Sequence, residues 1–246
     1  MLRLGKKPAR IDSRTLRLKQ AMKAVIPPIP TEWDFDQVSP VKVPTPMFLN
    51  DELGDCVIAG RGHQTLRFEA IEQKKIISIN DLEIKSEYFR ETEGADGGLV
   101  MLDALKSWRS DGWTIGDNTY NIDAFADVNR NDQQEIMTAI YLFTGIQGGF
   151  RLPQSAMDQF QAGRVWEVPK WWDWNGKAIL GGHCIYLHGY DTDGLFGTSW
   201  GKNFKMTWAW FYRYSDEVYA CIDNKDRWLT DSPVDVDALE KYLKNL

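Results

Sequence analysis

Cysteine is scarce in this sequence: Cys56, Cys184 and Cys221 are the three in 246 residues. An odd number leaves at least one thiol unpaired in a monomer, which argues against the disulfide framework of a small secreted protein. Histidine is as rare, at His63, His183 and His188. No C-x-x-C or H-x-x-x-H spacing joins these residues, so no metal site is expected. No apolar run reaches the length of a membrane span, and the charged N-terminus has no apolar core of a Sec signal; no membrane partner is expected. Gly148-Gly149 is not followed by Lys-Ser/Thr, so it is no phosphate loop. No repeat of fixed period occurs. Positive charge is not in excess either. The net charge of −6 and pI near 5.2 weigh against nucleic acid as a partner.

Hydrophobic residues make up 43% and charged residues 26%, the balance of a folded globular chain, and the length suffices for one large domain or two modest lobes. Eleven tryptophans favour packed lobes over disorder. Residues 1–25 stand apart as a basic arm carrying Lys6, Lys7, Arg10, Arg14, Arg17, Lys19 and Lys23. Such an arm is expected to lie on an acidic surface of its own chain or to reach a neighbouring subunit, with docking or assembly favoured over inhibition. Residues 13–25 are candidate helix. The prolines of residues 26–30 then dictate an extended strap.

Helical spacing starts at Cys56, where Val57, Gly60, Gln64, Phe68 and Ile71 recur three or four apart and Asp55 is placed to cap. Further helices are predicted over residues 84–90, 99–109, 132–142, 206–213 and 235–243. Short aromatic or β-branched runs at residues 146–150, 182–190, 195–199 and 219–222 read as strands. Helices first and strands later point to an α+β fold rather than a βαβ repeat. The domain expected over residues 26–246 has a helical lobe mainly in 50–142 and an antiparallel β lobe mainly in 145–222.

Cys56 directly follows the predicted cap, in the first helical turn. There the helix dipole and free N–H groups lower a thiol pKa, and an imidazolium partner lowers it further. The surrounding residues sharpen this. Asn50-Asp51-Glu52-Leu53-Gly54-Asp55-Cys56, Asp96-Gly97-Gly98, Gly181-Gly182-His183-Cys184-Ile185, Gly189-Tyr190 and Thr198-Ser199-Trp200-Gly201 occur in order. Together with residues 29–34, they resemble the motifs of papain-like cysteine peptidases across roughly residues 26–222. Asn50-Asp51-x-x-Gly54-Asp55-Cys56, His63, residues 206–208 and residues 216–220 are similar to a subgroup encoded by tailed phages and prophages.

The resemblance implies a two-lobe papain-like fold, helical with Cys56 and antiparallel β with His183, and a cofactor-free hydrolase acting on a peptide or amide in the interlobe cleft. Cys56 is then the nucleophile, and His183 its ion-pair partner and proton donor. Asn50 and the Cys56 N–H hold the oxyanion, Thr198 orients His183, and Trp200 shields that bond. Gly97 and Gly98 hold extended substrate. The sequence departs from the family in three ways. Asn50 stands where the family has Gln, and Thr198 where it has the orienting Asn, with Ser199 and Asp191 as other candidates. The paired cysteines of secreted members are missing, which fits a cytoplasmic or virion-associated location. The altered positions keep a rival open, a papain-like subunit of a phage particle with little or no turnover and with self-association or virion contacts through residues 1–25. A transferase using the same dyad is a third reading.

Other residues have plainer explanations. His63, two helical turns after Cys56, lies about 10 Å along the axis, too far to be its base. It reads as a core or interlobe histidine. Odd spacing turns His188 and Cys184 away from the His183 face. Trp171, Trp172 and Trp174 are divided evenly between lining a cleft and packing a lobe.

Overall fold

The computed structural model describes residues 2–22, 28–223 and 235. Its elements are α1 (Leu18–Ala21), β1 (Trp33–Asp34), α2 (Phe35–Val38), α3 (Cys56–Glu72), α4 (Asp81–Glu91), α5 (Met101–Ser110), β2 (Trp113–Ile115), β3 (Asn118–Tyr120), β4 (Ala124–Asp127), α6 (Gln133–Leu142), β5 (Ile146–Pro153), α7 (Gln154–Gln161), β6 (Ile179–Tyr190), β7 (Gly194–Ser199), β8 (Lys202–Thr207), α8 (Trp208–Tyr214) and β9 (Ser215–Ile222). The predicted C-terminal helix falls, apart from Asp235, outside the described residues. Asp235 has no helical conformation and donates its N–H to the Ala21 carbonyl. Among the described residues no helix is long and apolar enough to cross a membrane.

A seven-stranded antiparallel sheet in the order β4-β9-β5-β6-β7-β8, with β1 also pairing β6, forms the backbone of the molecule. Residues 183–190 of β6 are buried without a break, because both faces of this strand are covered. Ile185 and Leu187 join one core with Phe150, Trp166 and Trp210, while Cys184 joins a second core with Val57 and Ile58 of α3. Alternate side chains of one strand thus anchor two cores.

Helix α3 is buried along its length from Cys56 to Ala70, polar residues included. Arg61 is satisfied by Glu87 at 2.5 Å and Glu91 at 2.7 Å, both on α4, and by the Ala104 carbonyl of α5 at 2.7 Å. Arg67 forks onto both oxygens of Asp36, at 2.8 and 2.7 Å. These pairings fix α3 between the sheet and its neighbouring helices. Helix α4 starts earlier than its apolar spacing predicts, because Asn80 and Glu83 close a capping box. Asp55 occupies the N-cap position of α3 but makes no capping bond.

The stretch read as the helical lobe also carries parts of the β side. Strand β4 pairs with β9, and Ile136, Ala139 and Ile140 of α6 belong to the core that holds Ile185 and Leu187. The N-terminal arm is not the helix expected. Among its described residues, 2–22, only Leu18–Ala21 are helical. The other described residues run non-helically along their own chain, with a turn at residues 13–15, and Leu16, Leu18 and Ala21 are buried in that same core. Its basic residues meet acidic partners: Arg3 meets Asp96 at 2.9 Å, Arg10 meets Asp103 at 2.8 Å, and Arg17 meets Asp127. These exposed pairs contribute little each, and the apolar anchors contribute more.

Candidate active site

The chain from Met47 to Asp55 turns sharply before α3, with positive φ at Phe48 (58°) and Leu49 (61°). This bend delivers Cys56 as the first residue of the helix. Its sulfur lies 3.4 Å from the backbone nitrogen of Cys184, which donates to it, so the thiol meets β6 beside His183. The His183 ring stacks on Trp200 with centroids 4.0 Å apart and planes 13° apart. His183 Nε2 lies 2.7 Å from Ser199 Oγ, a hydrogen bond whose direction follows the tautomer. Nδ1 is buried without a hydrogen-bond partner, the Cys56 sulfur included.

The arm runs through this junction. Lys6 bridges to Leu99 on the helical side and to Gly182 on the sheet side. Arg3 donates its N–H to the Asn50 carbonyl, Lys6 to Gly182 and Lys7 to Leu99, while the Leu99 N–H donates to Gly5. Trp200 Nε1 donates to the Arg3 carbonyl at 3.2 Å. The Gly5 N–H faces the Cys56 sulfur and opposes the rise of its pKa. A Cβ on Gly5 would overlap the Gly54 carbonyl, and one on Gly98 (φ 71°) would overlap the Gly5 carbonyl, so only glycine fits at these two crossings.

No family model matches the chain, and no curated protein matches it in sequence. Solved structures do match. Xylellain, a cysteine protease from Xylella fastidiosa, aligns with 91% of this chain and 97% of its own at a TM-score of 0.69 and 16% identity. The Carica candamarcensis cysteine protease CMS1MS2, in complex with E-64, aligns with 80% of this chain and 100% of its own at 0.60 and 18%. The ragweed pollen cysteine protease Amb a 11, in its proform, covers 82% of this chain and 69% of its own at 0.60 and 14%.

The chain has the papain-like fold. At these identities the likeness is one of architecture, and the chemistry of this papain-like chain rests on its own residues.

With the arm in place, the dyad is uncharged. Burial pushes the Cys56 thiol up to about 11, against the opposing N–H groups of Cys184 and Gly5, and burial draws His183 down to about 3. The expected thiolate–imidazolium pair is therefore absent from the covered state. Asp55, fully buried beside Cys56, is raised to about 7 by burial, partly offset by the Asn50 amide. One of its carboxyl oxygens accepts from Asn50 Nδ2 at 2.9 Å and the other has no partner. Asn50, expected to serve the oxyanion, thus commits one of its two amide hydrogens to Asp55.

The other expected positions divide. Thr198 does not orient His183. It lies one residue before Ser199 in β7, and the alternation of the strand turns its hydroxyl toward Asn203 at 2.5 Å and Arg67 at 3.2 Å. Ser199, named as an alternative, makes the histidine bond, while Asp191 pairs with Lys205 at 2.6 Å. Gly97 stands in open space, and Gly98 leaves room for the arm. The backbone pairing itself falls on Leu99. His63 is buried against Phe48, and His188 Nδ1 lies 3.0 Å from Asp34. Trp171, Trp172 and Trp174 neither pack a lobe nor line the cleft beside Cys56. They are exposed, with Lys170 over Trp172 and Lys177 over Trp174.

Sequence reasoning missed Gly5, Lys6, Gly149 and Glu217. A glycine followed by lysine inside a basic arm, and a glycine pair inside a strand, were the available signals.

Proposed function

We propose that the protein is a cysteine peptidase kept latent by its own N-terminal arm. The observation that carries this is the arm's backbone seated across the junction, where Gly5 fits against the Gly54 carbonyl as no Cβ could and the flanking bonds reach Leu99 and Gly182. The arm turns the Gly5 N–H, rather than a carbonyl carbon, toward the nucleophile, so it fills the site without being cut. Once the arm leaves, water reaches Cys56 and His183, the burial that holds both uncharged is relieved, and the helix N-terminus favours the thiolate. The sulfur then attacks a peptide carbonyl carbon. The His183 proton passes to the leaving amine, and water hydrolyses the thioester with His183 taking its proton. The Cys56 N–H and the remaining Asn50 amide hydrogen serve the oxyanion. Ser199 holds the ring angle of His183, and Trp200 covers its face.

The test is alkylation of Cys56 by iodoacetamide at pH 6, mapped by mass spectrometry, in the full-length chain and its Gly5→Ala variant. The variant is expected to label at least about tenfold faster, to hydrolyse peptides, and to lose both gains on addition of His183→Ala. Slow, His183-independent labelling in the variant would instead favour the second reading, a non-catalytic subunit of a phage particle. The observation on its side is the uncharged dyad together with the Asn50 amide held by Asp55.

A further inference from the structure

Next to the residue that covers the thiol, the arm sends one side chain into the body of the protein. The Lys6 side chain is 1% exposed. Its Nζ lies 2.8 Å from Glu217 Oε1 and 3.0 Å from Asp216, and donates to the Lys7 carbonyl at 3.1 Å. The slot is built by elements distant in sequence. Glu217 and Asp216 come from β9 and Gly149 from β5, where Gly149 and Glu217 are register partners beside a bulge. Met101 comes from the start of α5. A Cβ on Gly149 would run into the Lys6 stem and approach Glu217 Cγ to 2.6 Å and Met101 Sδ to 2.9 Å. The glycine therefore opens the slot, and the acids close its end. Tyr219 donates to the second Glu217 oxygen at 3.1 Å and fixes the carboxylate.

We infer that this slot is a side-chain pocket of the cleft that selects a lysine or arginine, and that the peptides this enzyme takes carry a basic residue next to the one lying over Cys56. The inference rests on the peptidase reading above and adds the class of substrate to it. The physical reason is desolvation. Glu217 has a side chain only 4% exposed, and burial raises it toward its neutral form while Lys6 pulls it back. An apolar side chain in the slot would bury that carboxylate without a counter-charge, the costly arrangement. A cation at the end of a three- or four-carbon stem satisfies it, and the stem fills the passage between Gly149 and Met101. The arm binds by mimicking such a side chain. Removing Lys6 leaves the same demand for a cation from outside.

The experiment uses the full-length Lys6→Ala chain. Binding of acetyl-Leu-Gly-Lys-Lys-Pro-amide, the arm's own residues 4–8, is compared by calorimetry with the peptide carrying norleucine at its third position. The lysine peptide is expected to bind at least about tenfold more tightly, and adding Glu217→Gln is expected to remove that preference. Asp216→Asn, on a more exposed carboxylate, serves as a second variant with a smaller expected loss should Glu217→Gln fail to fold. Equal binding of the two peptides, or binding of neither, would overturn the inference and leave Lys6 as a latch for the arm alone. Iodoacetamide labelling of Cys56 in the same samples separates the two readings. A reactive, His183-dependent Cys56 without lysine preference sinks the pocket and spares the peptidase. A lysine preference with an inert Cys56 does the reverse.

Discussion

At the residue scale, the site depends on which of two adjacent hydroxyls faces the histidine. Ser199 lies 2.7 Å from His183 Nε2, while Thr198 is bonded to Asn203 and Arg67. Ser199→Ala leaves a buried imidazole nitrogen unpaired, at a cost of about 1–3 kcal/mol in urea unfolding. In the Gly5→Ala background it should also slow Cys56 alkylation about tenfold. Thr198→Val should leave the alkylation rate and its pH profile unchanged. Equal effects of the two would place the orienting role elsewhere. The motif located the pair but not the active member, because the side-chain direction is settled by strand register, which a one-residue shift reverses.

Asp55 gives the same scale a pH signature. Its folded-state pKa is about 7 against an ordinary 3.8, so the folded protein holds a proton that the unfolded chain releases. Its contribution is complete below about pH 4 and is lost as the pH rises through about 7, worth about 4 kcal/mol. His183 works in the opposite sense. Drawn from 6.5 to about 3, it contributes stability above pH 6.5 that is lost as the pH falls toward 3. Comparison of Asp55→Asn with the wild type isolates the first term. The variant should gain relative stability steadily from pH 4 to pH 8 in urea titrations, and a pH-independent difference would show that Asp55 titrates normally.

At the scale of elements, the helices were the most legible. The spacing from Cys56 onward predicts α3, and the apolar faces at residues 99–109 and 132–142 predict α5 and α6 to within a few residues. The short strands β2, β3 and β8 were not legible, since residues 113–120 and 202–207 mix polar and aromatic residues and take their order from pairing. Helix α7 was missed because proline ends β5 directly before it. What holds α3 was also illegible. Nothing in the residue spacing marks Arg61 as buried, yet it is 2% exposed and binds α4 and α5 together. Arg61→Met should destabilise the fold by about 3 kcal/mol, because it leaves the buried Glu87 and Glu91 to the half-exposed Arg90 alone. A change below about 0.5 kcal/mol in the urea midpoint would mean that solvent already reaches these carboxylates.

At the scale of the whole molecule, the motif order was enough to indicate two facing surfaces, but not what lies between them. Composition showed only that residues 1–25 are basic, which equally suits a surface tail or a subunit contact. The deciding facts are steric. Gly5, Gly54, Gly98 and Gly182 open a passage just wide enough for a peptide backbone, and Lys6 fits the acidic slot beyond it. These glycines lie far apart in sequence, so their joint purpose emerges only when the chain is folded. The arm bonds to the helical side at Asn50 and Leu99 and to the sheet side at Gly182 and Trp200, which makes it a tie across the cleft as well as a cover.

The tie joins two distant points of the chain: Lys6 and Asp216 are 210 positions apart. A ribosome releases the arm long before β9, its anchoring strand, exists. Closing so long a loop costs about 5 kcal/mol in chain entropy before any bond is gained. The cover should therefore be fitted last, onto a body that is already formed, and each newborn molecule passes through an interval with its thiol open. Refolding from urea with timed iodoacetamide pulses reads this order directly. Cys184 and Cys221, in the core, should become protected first and Cys56 later, and Lys6→Ala should lengthen the delay of Cys56 alone. Simultaneous protection of all three would mean that the arm docks while the body is still forming around it.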